Sequence, residues 1–274
     1  MPGNTISVPK YTSDLALATT PLSETTDADS IALPNPALVN VSIAEYGSAI
    51  FKTRKLGLTA FSDVDVYAAQ EVAWHMRDTV DELVQTTLRG GTQFLRNAGG
   101  VLSTSTAITN VVATDFITSA AVRRTVAKLR SAKVPPKAGP LYAGYLHPEV
   151  SHDLRAETAS GGYREAHIYA APAVFWPGVI GEYEGIAVTE SPRCYNAVDG
   201  GAGGNTVRVF RSYVLGRYGL LESVWEEFHT VAGPITDSLN RFRPLGWYGA
   251  AGWARFREEA MWRIETTSSI HTGA

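Results

Sequence analysis

SDVDVYAAQEVAWHMRDTVDELVQTTLRGG, residues 62–91, carries a longer single periodicity than any other segment of the chain. Val64, Tyr67, Ala68, Val72, Met76, Val80, Leu83, Val84 and Leu88 recur at steps of three and four, which is one face of an α-helix. Gln85 falls on the opposite side and is expected to face solvent. Ser62 or Asp63 can cap the start, and Asp63 and Asp65 place negative charge at the positive end of the helix dipole. Arg89 stands in the last turn, and Gly90-Gly91 provide the left-handed exit. About 27 residues at 1.5 Å each make a rod of roughly 40 Å. That is long for a globular helix, so it reads as a spine that carries the other elements.

Upstream of this spine, Thr5 to Tyr11 (TISVPKY) alternates Ile6 and Val8 with polar neighbours, and Pro9 confines the strand to an edge. Residues 12–36 are rich in Thr, Ser, Asp and Pro and show no period. Val39, Val41 and Ile43 then alternate in a second strand that leads through Glu45-Tyr46-Gly47 to Ile50-Phe51. Two strands joined by about 25 mostly polar residues form a long arm, and isolated two-stranded hairpins are marginal in water. Such an arm is expected to pack on something else.

Downstream, Thr92 to Val111 is turn-rich, and Thr114 or Asp115 is expected to open a second helix. Phe116, Ala120, Val122, Val126 and Leu129 form its apolar arc, Arg123, Arg124, Lys128 and Arg130 its far side, and Pro135-Pro136 stop it. Leu141 to Leu146 reads as a short strand, and His147-Pro148 starts a helix that Gly161-Gly162 break; Tyr163 to Ala171 can form another. Gly178 to Glu190 reads strand-turn-strand, and residues 196–205 read as a flexible glycine-dense loop. From Thr206 onward the pattern is β. In the tail, Ala254, Phe256, Ala260, Trp262 and Ile264 share one parity, while Arg255, Arg257, Glu259, Arg263 and Glu265 take the other. That parity suggests a hairpin turning near Arg257-Glu258-Glu259. Strands flank the helices without a repeating βαβ order, so the class is α+β.

With 274 residues, 45% hydrophobic and 19% charged, the chain can bury a core as one large domain or two intimate ones. A net charge of −3 gives no overall basic field for nucleic acid. The single Cys194 excludes an internal disulfide. No run approaches 18 apolar residues, so the expectation is a soluble chain with no membrane partner.

No catalytic constellation emerges. Ser151-His152-Asp153 has the letters of a hydrolase triad, but adjacent helical residues diverge by about 100° and cannot converge on one atom. His147, Glu149 and His152 lack the four-residue histidine spacing of a helical metal site. The GGAGG stretch at 200–204 has the glycine density of a phosphate loop without its order or its following helix. Cys194 has no activating partner in sequence. Trp247, Trp253 and Trp262 lack interleaved basic residues and read as core or interface. Arg123, Arg124, Lys128 and Arg130 read first as a solvated helix face, with a phosphate contact as the other reading. Accordingly no catalytic residue, cofactor or metal is expected.

The order of arm, spine helix, α/β middle and tryptophan-rich β tail resembles the major capsid proteins of tailed bacteriophages, which share the Hong Kong 97 fold. VNVSIAEYGSAIF resembles the returning strand of that family's extended loop, LHPEVSHDL its strand followed by a His-Pro-initiated helix. GEYEGIAVTESPR resembles the paired strands of the axial domain, and PLGWYGAAGWARFREEAMWRIETTSS the closing segment. The resemblance runs from Asn4 to near the end. It implies an extended loop at 1–61, a peripheral domain at 62–110 holding the spine helix at 62–91, an axial domain at 111–236 and a return to the peripheral domain at 237–274. It implies a structural subunit that self-associates as hexamers and pentamers into an icosahedral virion shell. Packaged double-stranded DNA would be held weakly, scaffolding, portal and decoration proteins are further partners, and assembly would occur in the host bacterial cytoplasm. Leu15, Leu17, Leu22, Ile31 and Leu33 of the loop are the expected contacts with a neighbour. The family's N-terminal arm or scaffolding segment would precede this first strand, whether removed, replaced or left out by a late start, and none of its contacts is carried over. Lys10, Lys52 and Lys55 lie near the loop, yet no motif assigns the lysine–asparagine crosslink of some relatives. An encapsulin-like cellular compartment and an uncharacterised soluble enzyme are the alternatives.

Overall fold

The computed structural model describes residues 3–11, 19, 21, 24–25, 35–60, 64–137, 139–157, 179–201, 206–235, 237–239 and 241–271. The expected contacts Leu15, Leu17, Leu22, Ile31 and Leu33, the cap at Ser62 or Asp63, and the helix at 163–171 lie outside these residues.

The arm is a separate two-stranded sheet. β1 (Thr5–Lys10) pairs antiparallel with β2 (Ala37–Ser42), Val8 opposite Val39. Its root is fixed where the Ile43 N–H donates to the Asn4 carbonyl at 2.7 Å, and where Val41 and Ile43 are buried. One residue later the chain enters β3 (Ala44–Thr53), which belongs to another sheet. Thr53 then caps the short α1 (Arg54–Thr59) by accepting from the Leu56 N–H at 3.2 Å.

The spine is α2 (Val64–Arg89), 26 residues, with the expected length. Its exit differs from the left-handed one expected: neither Gly90 nor Gly91 takes a positive φ, and the Gly91 N–H donates to the Leu88 carbonyl at 3.1 Å. Its buried face differs from the expected one. Ala68, Val72 and Leu88 are buried, but Tyr67 is 61% exposed and Gln85 only 4%. The helix meets two different bodies, which is why one stripe does not describe it. Its first half lies on one sheet only and leaves Tyr67 and Trp74 outside. Its last turns enter a cluster with Cys194, Tyr213, Leu215 and Met261. There Gln85 is buried, and its side-chain oxygen has no hydrogen-bond partner among the described residues.

β4 (Phe94–Ala98) and β5 (Val101–Ser103) form a hairpin. Asp115 is occupied there: its carboxylate accepts from Gly99 and Gly100 at 2.8 Å and from Val112 at 2.7 Å. The second helix, α3 (Ser119–Ser131), therefore begins later than expected, capped by Thr118. Its buried arc is Ala121, Val122, Thr125, Val126 and Leu129, and Ala120 points to solvent.

β6 (Tyr142–Leu146) leads into α4 (Pro148–Ala156), whose cap is His147 and whose first residue is proline. β7 (Val179–Tyr183) and β8 (Ile186–Glu190) join through Glu184-Gly185, both at positive φ (50° and 84°), the geometry a two-residue hairpin needs. Residues 196–200, expected to be loop, are β9 (Asn196–Gly200), paired with β10 (Val207–Leu215). The alternation Asn196, Ala197, Val198 suffices for a strand when a neighbour supplies the ladder. β11 (Leu220–Ala232), β12 (Phe242–Arg255) and β13 (Met261–Thr266) complete the chain. β12 and β13 turn near 257–260 as expected but do not pair. β12 lies between β11 and β3, whereas β13 lies between β10 and β4.

Two bodies result. An eight-stranded mixed sheet, β5-β4-β13-β10-β6-β8-β7 with β9 on β10, packs with α3 and α4 around Leu95, Val126, Leu129, Phe210, Val214 and Ile264. A three-stranded sheet, β11-β12-β3, lies along α2. β4 and β5 (from 62–110) and β13 (from 237–274) bond into the large sheet, and β11 (from 111–236) into the small one.

Candidate functional site

The letters that suggest catalysis do not assemble into a catalytic site. On α4, Ser151 and Asp153 are buried and His152 is exposed, with His152 Nδ1 3.3 Å from the Asp153 carboxylate. Asp153 instead holds the C-terminal turn, accepting from the Ser269 N–H at 2.8 Å and from its hydroxyl. His147 uses Nδ1 to accept from the Glu149 N–H at 3.3 Å, and burial lowers its pKa. Glu149 faces His271 at 2.6 Å. The cleft beside Arg208, Thr267 and His271 holds about 180 Å³, less than a small-molecule site requires. Cys194 is buried among Tyr213 and Met261, and burial pushes its thiol up to about 12, so no thiolate forms near neutral pH. Among the described residues no group of three His, Cys, Asp or Glu is placed to hold a metal. No helix among them is long and apolar enough to cross a membrane.

The tryptophans separate. Trp262 packs in the main core, while Trp247 and Trp253 line the small sheet. Trp247 donates to His75 of the spine at 2.9 Å, and Phe228 stacks on Trp253 with 6.2 Å between centroids. These rings bind the small sheet to α2 and to itself.

The feature that sequence parity hides is Glu265. It lies on the polar parity of β13, yet it is 0% exposed, because the end of α2 covers that face. Arg96 donates to it at 2.6 Å, Arg263 at 2.7 Å, and Arg211 stands 3.4 Å away. Arg263 also donates to the carbonyls of Arg89 and Gly91, where the spine ends. Arg211 pairs with Asp199 at 2.8 Å. This hub fixes the spine to the large sheet through charges that cannot be left unpaired.

Outside, large apolar groups stand in solvent in numbers unusual for a finished surface. On α2 these are Val66, Tyr67 and Trp74, the last 62% exposed. Around the far end of the small sheet they are Phe51, Leu56, Leu58, Leu239 and Phe242, with Trp225 on β11. Trp74 was readable as an anomaly, since it interrupts the polar side of the spine.

A protein-family model described as phage capsid protein matches residues 52–270. The chain belongs to that family. Solved capsids carry the same fold as this capsid protein at low identity. A chain from the capsid of Ralstonia phage GP4 is 14% identical with a TM-score of 0.74, over 98% of this chain and 85% of that one. A chain from the head of Helicobacter pylori bacteriophage KHP40 is 12% identical with a TM-score of 0.68, over 96% and 84%. A chain from the cyanophage Pam1 capsid is 15% identical with a TM-score of 0.62, over 97% and 86%. None of the curated proteins matches. The fold is Hong Kong 97-like, and the protein is a structural major capsid protein that self-assembles into the shell of the virion.

Proposed function

We propose that the subunit closes as hexamers and pentamers into an icosahedral shell around phage double-stranded DNA, and that its arm makes the decisive contact with a neighbour. It works by association and carries no catalytic residue. The axial domain is built on the eight-stranded sheet, and the peripheral domain on α2 with β11-β12-β3. Scaffolding, portal and decoration proteins would meet the shell during assembly in the host bacterial cytoplasm.

The observation that carries this reading is that β1 and β2 pair with each other and with neither larger sheet. A two-stranded sheet cannot hold itself, so its tip needs another surface. Leu15, Leu17, Leu22, Ile31 and Leu33 would bury there, worth at most about 7–15 kcal/mol at ~1.5–3 kcal/mol per side chain before ordering costs are subtracted.

Replacing residues 13–36 with an Asn-Gly turn tests it. Circular dichroism and yield of the subunit should stay near normal, and particles should vanish from sedimentation and micrographs. Normal shells from the shortened chain would sink this assignment of the arm, and failure to fold would place the segment in the subunit's own core.

A further inference from the structure

No acidic residue occurs between Asp115 and Glu149, yet Arg123, Arg124, Lys128, Arg130, Lys133 and Lys137 fall within fifteen positions. The fold collects them on one side of the large sheet's outer layer. With the apolar arc of α3 turned inward, its outer stripe is Ala120, Ala127 and Ser131, flanked by Arg123 and Arg130 on one side and Arg124 and Lys128 on the other. The loop after the helix adds exposed Lys133 and Lys137. The β10–β11 turn adds exposed Arg217, held alongside where its N–H donates to the Pro135 carbonyl at 2.9 Å. Tyr218 stands beside it, 57% exposed. Glu184 meets the stripe at its edge, 3.8 Å from Arg123, and Glu259 lies beyond it, 3.6 Å from Arg257.

A chain with a net charge of −3 has thus gathered cations on a single face whose central line is small side chains. That is a shape for a rod of negative charge, which can approach the small residues closely while cations reach it from both flanks. The base edges of a duplex would meet no array of amides or bidentate side chains here, so the contact reads charge and not sequence. We propose that this face of α3, with Lys137 and Arg217, is the subunit's contact for the phosphate backbone of double-stranded nucleic acid. The biological setting rests on the shell reading above, but the chemistry does not. The overall acidity of the chain keeps the contact weak, so that many copies can hold DNA without trapping it.

The test measures binding of a short labelled DNA duplex to the purified full-length subunit across a salt series. Each phosphate contact contributes about 0.9 to the slope of log K against log salt. The triple variant Arg123→Gln, Lys128→Gln, Lys137→Gln should lower that slope by roughly 2 to 3 and weaken low-salt binding at least about tenfold. A control triple on the small body, Arg54→Gln, Lys55→Gln, Arg243→Gln, removes equal charge and should weaken it less than about threefold. Equal loss from both triples, or no binding by the unaltered subunit at low salt, overturns the proposal. So does a first triple that binds the duplex normally but no longer forms particles, which would give the face to an acidic surface of another copy. Acetylation of Lys128 and Lys137 should be suppressed in DNA-filled particles and restored in empty ones, and no difference between them would count against the proposal. Absence of any particle is a different result, because it strikes the shell reading and leaves the duplex measurement standing.

Discussion

Compare β13 in the large sheet with β11 in the small one. Every residue of β13 except Arg263 is buried, whereas none of the thirteen residues of β11 is, although it includes Leu220, Val224, Trp225 and Phe228. Apolar content is similar, and the difference lies in what covers it. The large sheet has α3 and α4, and its core closes within one chain. The small sheet has α2 on one side, the buried root of the arm against it, and many exposed apolar side chains elsewhere. A capsid subunit needs both kinds of surface. One body must be folded before assembly, and the other must keep apolar area to bury during it.

The largest expected effect attacks the finished body. Glu265→Gln leaves the guanidinium groups of Arg96, Arg211 and Arg263 buried against a neutral side chain. Breaking a buried ionic cluster from one side costs about 3–5 kcal/mol. At about 2–4 °C per kcal/mol, the subunit's Tm should fall by roughly ten degrees, as read by scanning calorimetry. An unchanged Tm would mean that the hub contributes little to joining the spine to the sheet.

A different outcome is expected from the unfinished body. Trp74→Ser and Trp225→Ser remove large rings that are 62% and 54% exposed. Surface changes of this kind stay within about 0.5 kcal/mol, so subunit Tm should barely move. Particle yield by sedimentation should drop severalfold. A fall in Tm as large as that of Glu265→Gln would erase the distinction between the two bodies.

Much of this architecture was legible because its causes are local. Asp65 and Arg89 bracket the spine, His147-Pro148 starts α4, and Glu184-Gly185 makes its hairpin, each through chemistry confined to a few neighbouring residues. What was illegible depends on partners far away in sequence. Asp115 has the look of a helix cap until Gly99 and Gly100 claim its oxygens. Gln85 looks solvent-facing until the region around Cys194 closes over the last turns of α2. β12 and β13 share a parity that suggests a hairpin, but their partners β3 and β4 lie some two hundred and some 170 residues upstream. Leu15, Leu17, Leu22, Ile31 and Leu33, proposed as contacts with a neighbour, lie outside the described residues.

The smallest expected effect lies on the seam between the bodies, at Glu258. Its carboxylate accepts from the N–H and hydroxyl of Thr92, just past the spine, and from Arg255 at the end of β12, at 3.0 Å for the last two. Burial works to raise its pKa, but these hydrogen bonds and the Arg255 charge outweigh burial and hold the carboxyl below the usual glutamate range. Because the folded pKa is the lower one, the seam is stabilised above the unfolded value and loses that stabilisation as pH falls through the folded value. Glu258→Gln keeps the shape and removes the charge. At neutral pH it should cost about 1–2 kcal/mol, the scale of a hydrogen bond to a charged group. The gap in Tm between the two proteins should hold steady down to about pH 5 and then close as the glutamate of the unaltered protein takes up its proton. Comparing the two proteins removes the titration of every other carboxylate, which both share. A gap that stays constant to about pH 3 would show that shape and not charge holds the seam at Glu258.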